Sequence, residues 1–264
     1  MEFTSQALAH FIIVGLLSVV IPVGAVIFCK LRCKEAPLSA AFTGAGVFLV
    51  FVVILESVLH SAVLPLVSGN AAAAIIYGAL AAGIFEETGR FIAFKTILRR
   101  KTAPQTAIMY GLGHGGFEWL FICGTTALSA LVIAAMCGSM GAEAFAEMSS
   151  QGSEQIKAAV LAQIEGYAQC TLATTAVALI ERVIAMVLHT SLSVLVFESA
   201  RTKGRLWLYP AAVLMHAAMD TPAGLYQQAV IPLWACEALM AAVAAITAVW
   251  AVILYKGMKQ KAHA

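Results

Sequence analysis

The sequence predicts an all-α membrane protein, a polytopic bundle of about seven transmembrane helices, with eight as the alternative. The chain of 264 residues is 61% hydrophobic and only 11% charged, which lies far outside the balance of a soluble domain. Apolar runs of about 18 residues or more recur along almost the whole length, and each is long enough as a helix to cross a hydrocarbon core of about 30 Å. We therefore expect a single transmembrane domain over residues 1–264, without a soluble appendage.

Charged residues and clusters of Gly, Pro and Ser divide the chain into seven predicted helices. The first, residues 7–29, is too long for a signal-peptide core and has no basic segment before it, so we expect it to remain as a span. The others are predicted at 39–66, 71–98, 104–137, 169–200, 206–222 and 231–255. Between the fourth and fifth, the acidic segment 138–168 is expected to be an extracytoplasmic loop, either with an amphipathic surface helix or as exposed linker.

The basic residues occur in alternate connections. Lys and Arg clusters follow the first, third and fifth predicted helices and close the chain, whereas the connection at 68–70 has no charge. Because cytoplasmic loops are enriched in Lys and Arg, this pattern predicts an N-terminus outside and a cytoplasmic C-terminus.

The six cysteines include no CxxC pair, so neither a disulfide framework nor a thiolate metal site is expected. The net charge of +2 says little about partners. Membrane lipid is the expected surrounding, and no nucleic-acid partner is expected.

Four ionisable residues on four predicted helices lie at one depth. Counted from the nearest cytoplasmic basic cluster, they are 11 to 13 residues away. At 1.5 Å per residue this corresponds to roughly 16 to 20 Å. A charge that faces lipid at this depth costs about 2.5 to 3.5 kcal/mol, so the side chains are expected to turn inward. The predicted motif-bearing core, residues 71–222, would then enclose a polar chamber at mid-membrane. The four residues are Glu87, His114, His189 and His216.

Polar companions accompany these residues at helical spacings of four or seven, which places each pair on one face of its helix. The pairs are Glu86 with Arg90, His114 with Glu118, His216 with Asp220, and Arg182 with His189.

Imidazoles and a carboxylate at one depth indicate hydrolytic chemistry. Three neutral imidazoles, here His114, His189 and His216, can hold a divalent metal such as zinc and leave a position for water. Alternatively, a Glu–His pair can activate water without a metal. A neighbouring Arg can keep a Glu ionised, and Asp220 can orient His216. Either arrangement would serve hydrolysis of a peptide bond inside the membrane.

Three motifs resemble the CAAX-protease and bacteriocin-processing superfamily of intramembrane endopeptidases. That pattern has a Glu-Glu pair followed by Arg, an aromatic residue four before a His, and a later His followed four on by Asn or Asp. The stretches EETGR at 86–90, YGLGH at 110–114 and HAAMD at 216–220 match it in order. GHGGFE at 113–118 and ERVIAMVLH at 181–189 are similar to membrane peptidases of the YhfC type in particular.

The resemblance implies an intramembrane endopeptidase of a bacterial cytoplasmic membrane that acts on a peptide or membrane protein. Glu86 or Glu87 would be the general base, and His114 would share the activated water. His216 with Asp220 would bind a metal or stabilise the oxyanion. The remaining candidate residues are Arg90 in the first motif and the supporting residues Tyr110, Glu118, Glu181 and Arg182.

Two departures from the superfamily pattern affect these assignments. Only Thr88 and Gly89 separate the Glu pair from Arg90, where three residues are usual, so either Glu can pair with this Arg. Tyr110 replaces the usual Phe.

Other interpretations fit some of the same residues. A proton- or metal-ion-coupled transporter also needs ionisable groups at mid-membrane, although the chain lacks inverted repeats. A catalytically inactive scaffold could keep the chamber to bind a transmembrane substrate. Glu181 and Arg182 also fit a structural ion pair, and His189 a packing residue. Glu56 and His60 are assigned to the interface or to a gate, without a catalytic role.

Overall fold

The structure, a computed structural model, describes residues 2–263 and contains only helices and their connections in that range. The predicted all-α class is therefore confirmed. The helices are α1 (Ser5–Arg32), α2 (Leu38–Val67), α3 (Ala71–Lys95), α4 (Gln105–Met140), α5 (Ala142–Ser150), α6 (Glu154–Ala168), α7 (Leu172–Arg201), α8 (Leu208–Gln227) and α9 (Leu233–His263).

Six helices within the described range are long and apolar enough to cross a membrane, namely α1, α2, α3, α4, α7 and α9. The seventh long helix, α8, has 20 residues and corresponds to the predicted span at 206–222. It is less apolar than the others because it carries His216 and Asp220. The observed bounds follow the predicted ones closely, except that α8 and α9 continue further at their C-terminal ends.

Two helices, α5 and α6, form most of the segment predicted as a loop over 138–168. They are joined by a turn at Gln151 and Gly152, whose φ angles of 50° and 84° lie in the left-handed region. Lys157 on α6 donates a hydrogen bond to Glu147 on α5 at 2.7 Å, and this bond raises the pKa of Lys157. The segment 138–168 is therefore mostly helical and is not a plain linker. The side of the membrane on which it lies stays a prediction.

The chain divides into two compact units. The first unit comprises Met1–Ile21 and Trp119–Arg182, and the second comprises Pro22–Glu118 and Val183–Ala264. The second unit holds the larger core, in which Phe94, Leu192 and Leu195 are fully buried. The single transmembrane domain inferred from sequence stays a prediction.

Large apolar side chains along the spans point away from the protein. Leu16 on α1 and Val249 on α9 are each 63% exposed, and Ile246 is 62% exposed. Soluble proteins rarely expose apolar surface on this scale, whereas lipid tails match it. The chain is accordingly a membrane protein.

Glycines set the closest helix contacts of the second unit. A Cβ at Gly83 of α3 would lie 2.6 Å from the carbonyl oxygen of Val213 on α8. A Cβ at Gly113 of α4 would collide with the backbone of Ala41 on α2. The backbones of these helices therefore approach closely at the two glycines, and these contacts bring polar residues of neighbouring helices within reach of one another.

Candidate functional site

A group of ionisable side chains, here called the central cluster, is buried in the second unit. Glu87, Arg90 and His114 have no exposed surface, and Glu86, His189 and His216 are each at most 5% exposed. Helices α3, α4, α7 and α8 all contribute, so the structure brings together the residues that sequence placed at one depth. The cluster consists of Glu86, Glu87, Arg90, His114, Glu118, His189, His216 and Asp220.

Three imidazoles surround the carboxylate of Glu86. His114 Nε2 lies 2.8 Å from Oε2, and His189 Nδ1 lies 3.7 Å from the same oxygen. His216 Nε2 lies 3.6 Å from Oε1. Nitrogen atoms from three helices therefore converge on one buried carboxylate.

The adjacent carboxylate, Glu87, is held in a different way. Arg90 Nη1 donates to both of its oxygens at 2.8 Å, and His216 Nδ1 lies 2.8 Å from Oε1. Arg90 therefore pairs with Glu87, three residues away, and not with Glu86, four residues away. Because the guanidinium balances its charge, Glu87 can stay ionised in a buried position.

Carboxylates also orient two of the imidazoles. His216 donates Nδ1–H to Glu87, which leaves its Nε2 lone pair facing Glu86. His189 Nε2 lies 2.5 Å from Glu118 Oε2, which leaves its Nδ1 facing Glu86. A carboxylate behind an imidazole fixes its tautomer and ring orientation.

These contacts change two of the predicted pairings. Glu118, four residues after His114, contacts His189 on α7 instead. The orienting hydrogen bond that sequence assigned to Asp220 is made by Glu87, while Asp220 Oδ2 lies 3.6 Å from His216 Nε2 with its side chain 38% exposed.

The donor set suits a divalent metal. Ligand atoms of Glu86, His114 and His189, all buried, lie within 4.8 Å of one another. In tetrahedral zinc sites with bonds of about 2.0 to 2.2 Å, neighbouring ligand atoms are roughly 3.3 to 3.5 Å apart. The separations of 2.8 and 3.7 Å at Glu86 Oε2 lie on either side of that value. This group differs from the predicted His114, His189 and His216 set in having Glu86 in place of His216.

Arg90 limits how a metal can be bound. Its Nη2 lies 3.2 Å from His189 Nδ1, the atom that would be the ligand. One lone pair cannot accept an N–H and bind a metal together. Metal binding at His189 therefore requires this contact with Arg90 to break.

Tyr110 lies next to the cluster, with its ring stacked on His114 at a centroid distance of 5.9 Å.

Glu181 and Arg182 belong to the first unit and form an ion pair with each other. With His10 and Cys123 they line a cavity of about 220 Å³, here called the His10 cavity. Their supporting role stays a prediction.

The predicted site did not include residues of α2: Phe48 was not named, and Glu56 was assigned to the interface or to a gate. The α2 stretch Phe48–Glu56 is a π-helix in which Phe48 and Glu56 are the buried residues. The Phe48 ring contacts His114 edge-on at 5.4 Å. Glu56 is 4% exposed and lies within electrostatic range of Glu86, His216 and Asp220. A lone carboxylate inside a long apolar run was the available signal.

Comparison with known proteins gives two matches. The family model described as YhfC intramembrane metalloprotease matches residues 17–244. The uncharacterised membrane protein YhfC of Bacillus subtilis (strain 168) is 30% identical over 262 residues, which covers 94% of this chain and 96% of that protein. No solved structure gives a significant match.

Proposed function

The chain belongs to the YhfC intramembrane metalloprotease family, and on that premise we propose that it hydrolyses peptide bonds of membrane-inserted substrates at the central cluster. The observation that carries the proposal is the convergence of His114 Nε2, His189 Nδ1 and His216 Nε2 on Glu86. A packing role would need one hydrogen-bond partner for each imidazole, not a common target.

Glu86 is the carboxylate proposed to take part in the reaction. Both oxygens of Glu87 accept hydrogen bonds from Arg90, so this side chain has little capacity left to bind a water or a metal. Glu86 contacts His114 through one oxygen, and its other oxygen is 3.6 Å from His216. That separation is longer than a hydrogen bond and suits an intervening water.

Glu86, His114 and His189 are the residues proposed to hold a metal, for which zinc is the proposed ion. The family description names a metalloprotease, which supports a metal at the site. Zinc bound there would supply a Lewis acid that polarises the peptide carbonyl and lowers the pKa of a water to about 7.

His216 is proposed to move the proton. Its Nδ1–H is donated to Glu87, so its Nε2 can accept the proton of the attacking water and pass it to the amine nitrogen as the C–N bond breaks. The water oxygen forms the new bond to the carbonyl carbon. Asp220 Oδ2, 3.6 Å from that Nε2, is close enough to stabilise the imidazolium that forms in between.

Hydrolysis in H₂¹⁸O tests the proposal directly. Purified protein in lipid nanodiscs is incubated with a mixture of membrane-protein fragments, and mass spectrometry detects new C-termini that carry ¹⁸O. We expect wild type to generate such termini and Glu86→Gln to generate at least about 100-fold fewer, because a neutral amide cannot bind zinc as the carboxylate anion does. Equal ¹⁸O incorporation by both proteins would contradict the assignment.

A further inference from the structure

The buried carboxylate of Glu56 has a hydrogen-bond partner for only one of its two oxygens among the described residues. Its side chain is 5% exposed, and Oε1 is paired with His60 Nε2 at 3.1 Å. The other oxygen, Oε2, has no hydrogen-bond partner among the described residues. A buried carboxylate oxygen without a partner is costly, so a molecule outside the polypeptide is expected to contact it.

The paired oxygen of Glu56 begins a chain of polar contacts that leads away from the central cluster. His60 bridges Glu56 and the hydroxyl of Tyr77, with Nδ1 2.9 Å from that oxygen. The His60 side chain is 32% exposed, and Tyr77 is half-buried. Tyr77 is the seventh residue of α3, roughly 10 Å along the helix axis from the uncharged connection at 68–70.

Glu56 also interacts electrostatically with the central cluster. Glu56 lies within electrostatic range of Glu86, His216 and Asp220. Tyr77 and Glu86 are nine residues apart on α3, so the path covers about 13 Å along the helix axis. Polar groups of α2 and α3 therefore lie between a partly exposed surface and the central cluster.

The π-helix explains why Glu56 faces inward. Wider π-helical turns are frequent at functional sites, and they change the direction of side chains relative to a regular α-helix. This stretch packs against α3 at Gly89, where a Cβ would lie 2.7 Å from side-chain atoms of Phe51 and Val47. The close contact places Glu56 beside the helix that carries Glu86.

We propose that Glu56, His60 and Tyr77 line a hydrated route through which water enters the central cluster. The inference rests on the proposed function, since each peptide bond cleaved consumes one water that has to reach a site enclosed by apolar helices. Water within the route would supply the partner for Glu56 Oε2, as buried waters do for polar groups without a protein partner. Glu56 is then a positioning residue, which acts through water and not on the peptide.

Hydroxyl-radical labelling tests this route, since radicals made from water by X-rays oxidise side chains that lie beside water. In wild type we expect oxidation of His114 and His216 despite their burial. In Glu56→Leu and in His60→Phe, labelling of both should fall about threefold or more, because the polar groups that hold the water are gone. His10 in the first unit is the internal control and should keep its wild-type labelling.

Two further variants and measurements separate the route from simpler explanations. His60→Phe changes a partly exposed side chain, so it reports on the route even if Glu56→Leu does not fold. Glu56→Gln keeps hydrogen-bonding capacity and should restore most of the labelling. In cleavage assays Glu56→Leu should lower kcat and leave KM unchanged, whereas a residue that binds the peptide would raise KM.

The outcomes are distinct from those for the proposed function. Wild-type labelling of His114 and His216 in both apolar variants, or absence of labelling in wild type, would overturn the route. If the protein cleaves nothing yet the labelling falls as expected, the proposed function fails and the route stands as a water path to the cluster.

Discussion

Polar residues occur inside apolar helices in both units, but their partners differ. In the first unit, His10 Nδ1 lies 2.9 Å from the hydroxyl of Thr175, and Arg182 pairs with the adjacent Glu181. In the central cluster of the second unit, three imidazoles from three helices converge on one carboxylate. An imidazole against a hydroxyl is satisfied as a packing contact, whereas several nitrogens aimed at one point are what metal or water chemistry requires.

The largest expected difference between the two polar groups is in catalysis. His114→Ala should lower the rate of ¹⁸O incorporation by about 1,000-fold, because general acid–base groups and metal ligands contribute factors of that order. His10→Ala, which removes a buried imidazole from the first unit, should change the rate by less than about threefold. Single-turnover cleavage in nanodiscs measures both. A similar loss in the two variants would show that the first unit also belongs to the reaction site.

The ion pairs of the two units can be compared through their contributions to the free energy of unfolding. Glu87→Gln should lower the free energy of unfolding by about 3 to 5 kcal/mol, since it leaves Arg90 charged and buried without its counter-ion. Glu181→Gln, whose side chain is 34% exposed, should cost less than about 1 kcal/mol. Denaturant titration in mixed micelles measures both values. Equal values would indicate that water reaches the buried pair.

Metal affinity tests the role of Glu118, the carboxylate that contacts His189 Nε2. Glu118→Gln should weaken zinc binding by about 10- to 100-fold, because loss of an orienting carboxylate lowers the basicity of the imidazole. Competition with a chromophoric chelator measures the change. His10→Ala is the matched control and should bind zinc as wild type does. Unchanged affinity in Glu118→Gln would remove His189 from the ligand set.

Glycine substitutions give the smallest effect. Gly83→Ala should destabilise the protein by about 1 to 3 kcal/mol, because the new Cβ would lie 2.6 Å from the Val213 carbonyl oxygen and force α3 and α8 apart. Gly78→Ala on the same helix meets nothing within 4 Å and should be neutral or stabilising by up to about 1 kcal/mol. In the first unit, Gly15→Ala meets only the Ala127 side chain, at 3.1 Å, and should cost less than Gly83→Ala. Thermal unfolding of the three variants ranks them.

The helices could be predicted from sequence because lipid imposes a strict rule on length and polarity. Depth counted from the basic clusters likewise placed Glu87, His114, His189 and His216 on one level, and the structure brings them together. Such counting assumes regular helices with 1.5 Å per residue. It therefore works for α3 and the first part of α4, and it does not hold for Glu56, which is the last residue of a π-helical stretch.

Partner choice within the cluster could not be predicted in the same way. Residues three and four positions away are both neighbours on a helix, so sequence left Arg90 free to pair with either Glu. The choice depends on which carboxylate is contacted by residues of the neighbouring helices, and His114 contacts Glu86. Glu118 could be paired with His189 only once the packing of α4 against α7 was known. Rotamers and interhelical packing decide these contacts, and neither has a local sequence signal.

Arg90 divides its guanidinium between Glu87 and His189, which gives the protein a second way to satisfy its innermost imidazole. A protein from which a chelator has removed the metal should therefore keep its helices and its compact packing, because Arg90 then contacts His189 in place of the metal. On the proposed function, loss of the metal would then leave a folded protein that can bind the metal again.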